Sequence, residues 1–160
     1  MTIKAGDKAP SVTFKTMGDS GPQNLTSDEL FAGKKVVIFA VPGAFTPTCS
    51  AKHLPGFVQK AAEFKAKGVD QVACVAVNDA FVMGAWGKDQ GAGDKVQMVA
   101  DGNGDFAKAC GLTMDGSGFG LGQRMQRCAM VVENGTVTQL FVEAPGQFEK
   151  STAENVLANL

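Results

Sequence analysis

An uninterrupted apolar run, Lys35-Val-Val-Ile-Phe-Ala-Val41, is the feature that most constrains how this chain can fold. The run is bounded by Gly33 and Pro42, two residue types that interrupt regular structure. A half-exposed strand alternates polar and apolar residues, whereas a continuous apolar run is typical of a strand covered on both faces. We therefore expect residues 35–41 to form a central strand of a sheet that lies between helices.

Helix and strand signals alternate along the chain after this strand. Apolar residues recur at spacings of three and four from Leu54 to Phe64, which predicts an amphipathic helix over residues 47–67, bent at Pro55-Gly56. A β-branched run predicts a second strand over residues 69–77, and Asn78-Asp79 supplies a cap for a helix over residues 80–90. A short strand over residues 96–100, a turn at Asp101-Gly-Asn-Gly104 and a brief helix before Gly111 follow.

The last third of the chain predicts antiparallel strands and a closing helix. Residues 128–132 and 136–142 flank Asn134-Gly135, the signature of a tight hairpin. Ser151-Thr-Ala-Glu154 resembles a capping box at the start of a C-terminal helix. The pattern predicts an α/β fold, with a mixed sheet between helices, in a single domain that spans residues 1–160.

The charges and the apolar content of the chain exclude several classes of partner. Its 15 basic and 16 acidic residues form no run of either sign, so neither nucleic acid nor an anionic membrane surface is indicated. No apolar stretch approaches the roughly 20 residues that span a bilayer. Residues 1–11 lack the pattern of a signal or transit peptide, and a cytoplasmic location is the expectation.

Four cysteines, at positions 49, 74, 110 and 128, carry the chemical interest of the sequence. They form no CxxC pair, and in a reducing compartment they are expected to be reactive thiols or small buried side chains. Cys49 follows the central strand and falls in the first turn of the predicted long helix, two residues after Pro47. Unpaired N–H groups and the helix dipole stabilise a thiolate at that place, which makes Cys49 the candidate nucleophile.

The segment Pro42-Gly-Ala-Phe-Thr46-Pro-Thr48-Cys49 matches the PxxxTxxC motif of peroxiredoxins at every defined position. The run that continues to His53-Leu-Pro-Gly-Phe57, the stretch around Asn78-Asp79 and the stretch Gln126-Arg127-Cys-Ala-Met-Val131 resemble the type II subfamily. The resemblance implies a thioredoxin-like fold. It also implies a peroxidatic cysteine, at Cys49, that attacks a hydroperoxide and becomes a sulfenic acid. No cofactor and no metal are required.

Under this resemblance each motif residue has a role in the reaction. Thr46 places its hydroxyl between the thiolate and the peroxide, and Pro42 shields the sulfur from water. Arg127 supplies a fixed positive charge to the thiolate and to the leaving oxygen. Arg124 is the rival arginine, but it lies in sequence where a solvated side chain is expected. The backbone N–H groups of Thr48 and Cys49 complete an anion cradle.

His53, the only histidine, lies four residues after Cys49, which raises a Cys–His nucleophile pair of protease type as an alternative. We expect it instead to be a hydrogen-bonded residue near the pocket. A metal site at these two residues lacks further ligands. The loop that begins at Asp101 resembles a calcium loop, but Phe106 replaces its required glycine, so it is interpreted as a turn with a helix cap.

The resemblance also bears on how the sulfenic acid is reset. Cys74 falls where plant-like and related bacterial type II enzymes carry a second cysteine, which suggests a Cys49–Cys74 disulfide within one chain. Because Cys74 lies in a predicted buried strand, that bond requires local unwinding around Cys49. A one-cysteine cycle with glutathione and glutaredoxin stays open, and thioredoxin is the other candidate reductant. Cys110 and Cys128 are interpreted as core residues.

Two further expectations concern partners. Type II relatives often form homodimers, and Phe45, Phe81 and Phe119 are candidate contact residues if they are exposed. The glycine-rich stretch Gly116-Ser-Gly-Phe-Gly-Leu-Gly122 fits no phosphate-binding motif and is interpreted as a flexible loop. The alternative function is that of a redox sensor, which uses Cys49 as a switch and passes its oxidation to a partner.

Overall fold

The fold is known from a computed structural model that describes residues 2–160. Its strands are β1 (Thr13–Gly18), β2 (Gly21–Thr26), β3 (Lys35–Ala40), β4 (Gln71–Ala76), β5 (Gln97–Ala100), β6 (Thr113–Asp115), β7 (Gln123–Met125), β8 (Cys128–Glu133) and β9 (Thr136–Val142). Its α-helices are α1 (Ser27–Phe31), α2 (Leu54–Gln59), α3 (Ala61–Ala66), α4 (Ala80–Asp89), α5 (Asp105–Cys110) and α6 (Ala153–Ala158). A π-helical turn (Cys49–His53) precedes α2, and a 3-10 turn (Ser117–Phe119) lies between β6 and β7.

The main sheet has seven strands in the order β2-β1-β5-β4-β3-β8-β9. Strands β3, β4 and β5 are parallel, while β8 and β9 on one side and β1 and β2 on the other are antiparallel. The central strand β3 pairs with β4 and β8 and is buried on both faces, as its continuous apolar sequence predicts. The mixed α/β fold expected from the sequence is confirmed.

Alternate residues of β3 belong to two separate cores. Val37 and Phe39 pack with α2, α3, α4 and α6, and Val36 and Ile38 pack with α1 and α5 on the other face of the sheet. This alternation is the two-residue period of a strand, with each face covered by its own layer of helices. Cys49 and Cys74 lie in the first core, and Cys110 and Cys128 lie in the second.

The predicted long helix begins at Pro47 as expected, but it is not continuous. The chain passes through the π-helical turn, where Leu54 N–H bonds to the Cys49 carbonyl, and then through α2 and α3, which are separated at Lys60. The bend expected at Pro55-Gly56 was wrong, because Pro55 sits in the first turn of α2, where its missing N–H is not needed. The break lies at Lys60, with φ −102° and ψ 11°.

One other local prediction is corrected: Thr152, rather than Ser151, caps α6, and its hydroxyl accepts from the Asn155 N–H at 3.1 Å. The glycine-rich stretch, expected to be a flexible loop, forms the turn of the β6–β7 hairpin, and a 2.7 Å bond from the Gly116 N–H to the Gly122 carbonyl closes it. The turn at Asp101 is confirmed as a helix cap, since its carboxylate accepts from the N–H groups of Phe106 and Ala107.

Candidate active site

The loop that connects β3 to the π-helical turn presents the PxxxTxxC motif at the carboxyl end of the central strand. Its Ala44 N–H donates to the Asn78 side-chain oxygen at 2.9 Å, and the Ser50 N–H donates to the Thr46 carbonyl at 2.9 Å. Phe45 has a left-handed backbone, with φ 63°. These bonds hold the motif loop against β4 and let the helical turn begin directly after it.

Cys49 lies in the first turn after this loop and is completely buried. Nη2 of Arg127 donates to its Sγ at 3.1 Å. Arg127 is the last residue before β8, which pairs antiparallel with β3, so the sheet brings the arginine beside the cysteine although 78 residues separate them. The arginine expected at the sulfur is therefore the one that the structure places there.

Arg124, the rival arginine, takes a different position. It lies in β7, half-buried, and its Nη1 donates to the Pro42 carbonyl at 3.2 Å while its Nε donates to the Leu121 carbonyl at 2.9 Å. The expectation of a solvated side chain was wrong, because both of these carbonyls face β7 and need donors. Arg124 thus holds the motif loop at the Pro42 carbonyl.

Arg127 makes a second directed contact through the other branch of its guanidinium. Nη1 lies 2.8 Å from Nδ1 of His53, and the ring of Phe148 lies 5.7 Å from the guanidinium carbon. Because a guanidinium only donates, Nδ1 of His53 must be the acceptor and Nε2 must carry the proton. Nε2 then donates to the Ser151 carbonyl at 3.0 Å.

Both ring nitrogens of His53 are therefore occupied, and neither bonds to Cys49. Burial, reinforced by the charge of Arg127, lowers the pKa of His53 to about 3, so the ring is neutral at physiological pH. A neutral ring with both nitrogens engaged has no free lone pair for the thiol proton of Cys49. The alternative of a protease-type Cys–His pair is accordingly wrong, and the expectation of a hydrogen-bonded histidine is what the structure shows.

Thr46 has its hydroxyl oriented by the motif loop itself. Its Oγ1 donates to the Gly43 carbonyl at 2.7 Å. Since the hydroxyl has a single proton, the same oxygen is left as an acceptor toward the cysteine side of the loop. Gly43 is closely surrounded, because a Cβ there would lie 2.8 Å from Nη1 of Arg124 and 3.2 Å from Cγ2 of Thr46.

A cleft of about 600 Å³ opens beside the motif loop and the arginine. Pro42, Thr48 and Arg127 line one part of it, and the β6–β7 hairpin and the segment after β9 line the rest. Several of these lining residues are apolar, among them Met114, Phe119, Pro145 and Phe148. A small molecule in this cleft can therefore contact both the arginine and the motif proline.

The other three cysteines are free and buried. Cys74 lies in β4 between Phe39 of β3 and Met98 of β5, and burial raises the pKa of its thiol well above the usual range, helped by the nearby Cys49. Burial likewise raises the pKa values of Cys110 and Cys128 to about 12. All three are protonated thiols in this state, and none is available as a nucleophile without a change of structure.

Glu143 is a buried site residue that the sequence analysis missed. It ends the β9 segment, lines the cleft, and accepts three hydrogen bonds on Oε2 from the N–H groups of Glu149 and Ser151 and from the Ser151 hydroxyl. A lone glutamate after an apolar strand was the only available signal, and it is too common to indicate a site. Among residues 2–160, no group of three or more histidine, cysteine or acidic side chains is placed to bind a metal ion.

The same described range contains no helix that is both long enough and apolar enough to cross a membrane.

The Redoxin family model matches residues 4–157. Peroxiredoxin-2E of Arabidopsis thaliana, a chloroplast protein, is 47% identical over 99% of this chain and 70% of its own length. Peroxiredoxin-2B of the same plant is 45% identical, with 99% of this chain and 98% of the relative covered.

Solved structures agree with this placement. The reduced Prx3 of Vibrio vulnificus in complex with hydrogen peroxide is 54% identical, with 99% of each chain covered and a TM-score of 0.95. The oxidised form of that protein is 55% identical over the whole of both chains, with a TM-score of 0.91. With the motif loop, the buried cysteine and the arginine in place, this chain belongs to the type II peroxiredoxins and is a thiol peroxidase.

Proposed function

We propose that Cys49 is the nucleophile and that it reduces hydrogen peroxide and organic hydroperoxides. The contact that carries this proposal is the 3.1 Å bond from Arg127 to Sγ at the start of a helical segment. An arginine and the free N–H groups of a helix start together favour the thiolate, the form of cysteine that attacks. The complex of the Vibrio relative with hydrogen peroxide supports the choice of substrate.

The reaction needs only the groups that surround the sulfur. The thiolate attacks the peroxide oxygen that bears the proton, the O–O bond breaks, and a sulfenic acid forms while the second oxygen leaves as an alkoxide or hydroxide. Thr46 accepts a hydrogen bond from the attacked OH, since its own proton is held by Gly43. Arg127 and the N–H groups of Thr48 and Cys49 stabilise the charge on the leaving oxygen, which then takes a proton from water.

Pro42 keeps water away from the sulfur. It lines the cleft with an apolar ring and has no N–H group to bind water there. Arg124 fixes the Pro42 carbonyl and so holds the loop in register with Arg127. We assign Cys49, Thr46 and Arg127 to the reaction itself, and Pro42 to the wall of the site.

A steady-state assay with tert-butyl hydroperoxide and a thioredoxin or glutaredoxin system tests this proposal. We expect turnover in the wild type and none in Cys49→Ser. A Cys110→Ser variant is the matched control, since that thiol lies in the core on the other face of the sheet. Absent turnover in the wild type, or undiminished turnover in Cys49→Ser, contradicts the assignment.

The cycle then needs a thiol reductant, and the route is a separate proposal. We infer that the Cys49 sulfenic acid condenses with Cys74 to a disulfide in the same chain, which thioredoxin or glutaredoxin reduces. Both thiols belong to one core cluster, but both are fully buried, so the π-helical turn must unwind for the sulfurs to meet with disulfide geometry. One equivalent of peroxide followed by mass spectrometry should give an intrachain Cys49–Cys74 linkage. A lasting sulfenic acid, or a glutathione adduct alone, indicates the one-cysteine cycle instead.

We also propose that the protein is a homodimer and that it acts in the cytoplasm. Three large aromatic side chains are unusually exposed for a single chain: Phe45 at 54%, Phe81 at 66% and Phe119 at 85%. Phe45 lies in the motif loop and Phe119 lines the cleft, so an interface there borders the site. Light scattering should give twice the chain mass for the wild type and a lower mass for Phe119→Ser, whereas a wild-type monomer contradicts the proposal. The sensor alternative has no support of its own, because Thr46 and Arg127 form a peroxide-aligning set.

A further inference from the structure

A line of hydrogen bonds joins the buried sulfur to the end of strand β9. It runs from Sγ of Cys49 to Nη2 of Arg127, from Nη1 to Nδ1 of His53, and from Nε2 to the Ser151 carbonyl. Ser151 is in turn held by Glu143, whose Oε2 accepts from both its N–H and its hydroxyl at 2.7 Å. These residues come from four separate parts of the chain.

We propose that His53 and Glu143 are positioning residues that hold the guanidinium of Arg127 on the sulfur of Cys49. The inference rests on the proposed roles of Cys49 and Arg127 and adds the residues that make those roles possible. His53 acts through Arg127, and Glu143 acts through Ser151 and His53. Neither His53 nor Glu143 contacts the peroxide.

The directions of the bonds show why the histidine is needed. The side chain of an arginine can rotate about its bonds, so the direction of its N–H donors is set only when acceptors bind them. Among residues 2–160 the ion pairs are Lys4–Asp7 and Lys60–Glu63, both at the surface, so no carboxylate orients Arg127. The acceptor that does so is Nδ1 of His53, and it can accept only because Nε2 keeps the proton for Ser151.

The surroundings of His53 show that packing alone does not require a histidine. Its ring lies 4.9 Å from Phe39, 5.7 Å from Phe57 and 5.0 Å from Phe148, measured between centroids. An aromatic hydrocarbon would fit such neighbours at a lower cost than a buried polar ring. The two hydrogen bonds are therefore what distinguishes histidine at this position.

Glu143 fixes the far end of the line. Its Oε2 gathers three donors, while its Oε1 is buried without a partner. Burial acts to raise the pKa of Glu143, but the donors of Ser151, Lys150 and Glu149 outweigh it, so the pKa lies below the usual range and the group is ionised. A charged, partly unpartnered carboxylate is costly to bury, and it is retained here where it orients the carbonyl that His53 requires.

Paired variants of His53 test the first part of the proposal. His53→Phe keeps an aromatic ring but loses both bonds, whereas His53→Gln offers an amide oxygen to Arg127 and an amide N–H to Ser151. Two single-turnover rate constants of Cys49 are measured by stopped flow, one with hydrogen peroxide and one with the neutral alkylating agent iodoacetamide. Trp86, the only tryptophan, donates to the Ser50 hydroxyl at 3.0 Å and serves as the fluorescent reporter.

We expect the peroxide rate constant of His53→Phe to fall about 10- to 100-fold, because a small displacement of Arg127 removes its bond to the leaving oxygen. Alkylation also needs the thiolate, so the two rate constants are compared at the high-pH plateau of each reaction, where Cys49 is fully ionised. There alkylation should fall by about threefold or less, since it makes no leaving oxygen. His53→Gln should recover most of the peroxide rate. The proposal is overturned if His53→Phe keeps the wild-type rate constant, if both reactions fall by the same factor, or if His53→Gln is as slow as His53→Phe.

Variants of Glu143 test the second part. Glu143→Gln keeps an acceptor for Ser151, and Glu143→Ala removes it, so only the alanine variant should lose about tenfold in peroxide rate with alkylation spared. Glu154→Gln, an exposed carboxylate of α6, is the control and should match the wild type. A wild-type rate constant in Glu143→Ala overturns the role of Glu143. A wild type that does not react with peroxide refutes the proposed function, and that outcome is visible before any variant is compared.

Discussion

The buried neutral His53 makes the free energy of unfolding depend on pH. The pKa of its ring is about 3 in the folded chain, lowered by burial first and by Arg127 second, against 6.5 for the free side chain. Between these two values the unfolded chain binds a proton that the folded chain does not, so stability falls as the pH falls. Between pH 7.5 and pH 4.5 this linkage costs about 3 kcal/mol of unfolding free energy.

Urea unfolding of the wild type and of His53→Gln at the two pH values checks the figure. Glutamine does not titrate, and it keeps partners for Arg127 and Ser151, so the other ionisable groups contribute almost equally to both proteins. Arg127 and Glu143 are the charged groups that act on the ring, and both are present in the two proteins, so the lowered pKa of Glu143 affects both alike. The wild type should therefore lose about 3 kcal/mol more than the variant over this interval.

Equal losses in the two proteins would mean that His53 becomes protonated in the folded state near its ordinary pKa. The ring would then be a donor at both nitrogens, and Nδ1 could not accept from Arg127. Such a result would contradict the orientation of the whole hydrogen-bond line, and not only its energy.

Three other predictions concern the site and its surroundings. Arg127→Lys should lower kcat/KM for hydrogen peroxide about 100-fold in the steady-state assay, because one ammonium cannot serve both Sγ and Nδ1; an unchanged value contradicts the two-branch contact. Gly43→Ala should lower turnover with the fold retained by circular dichroism, since its Cβ would lie 2.8 Å from Nη1 of Arg124 and would displace it from Pro42. Cys110→Ala should lose about 1 kcal/mol in urea unfolding and keep full turnover, and a slower peroxide reaction would show coupling across the sheet.

The fold was predictable where local sequence and burial agree. The apolar run of β3, the Asn134-Gly135 hairpin and the cap at Asp101 each carry their signal within a few residues. The β1–β2 hairpin was missed because β2 is an edge strand with no buried residue, so its mainly polar sequence shows no alternation of polar and apolar residues. β2 forms a strand because it pairs antiparallel with β1.

The site was predictable only in part, for a similar reason. The motif loop is contiguous, and the position of Arg127 follows from the resemblance. The partners of His53 are 74 and 98 residues away along the chain, so no local spacing indicates them. Sequence spacing instead suggested that His53 faces Cys49. In the structure neither ring nitrogen of His53 bonds to Cys49, because both bond to Arg127 and Ser151.

Because no carboxylate of residues 2–160 forms an ion pair with Arg127, oxidation of Cys49 should change the stability of the fold. Neither surface ion pair of residues 2–160 includes this half-buried guanidinium, so under the proposed mechanism its counter-charge is the thiolate of Cys49. A sulfenic acid is neutral, so each turnover removes that counter-charge and leaves a cation supported by His53 and the Phe148 ring. The melting temperature should therefore depend on the oxidation state of Cys49, and the reduced protein should melt at a higher temperature than the sulfenic acid form.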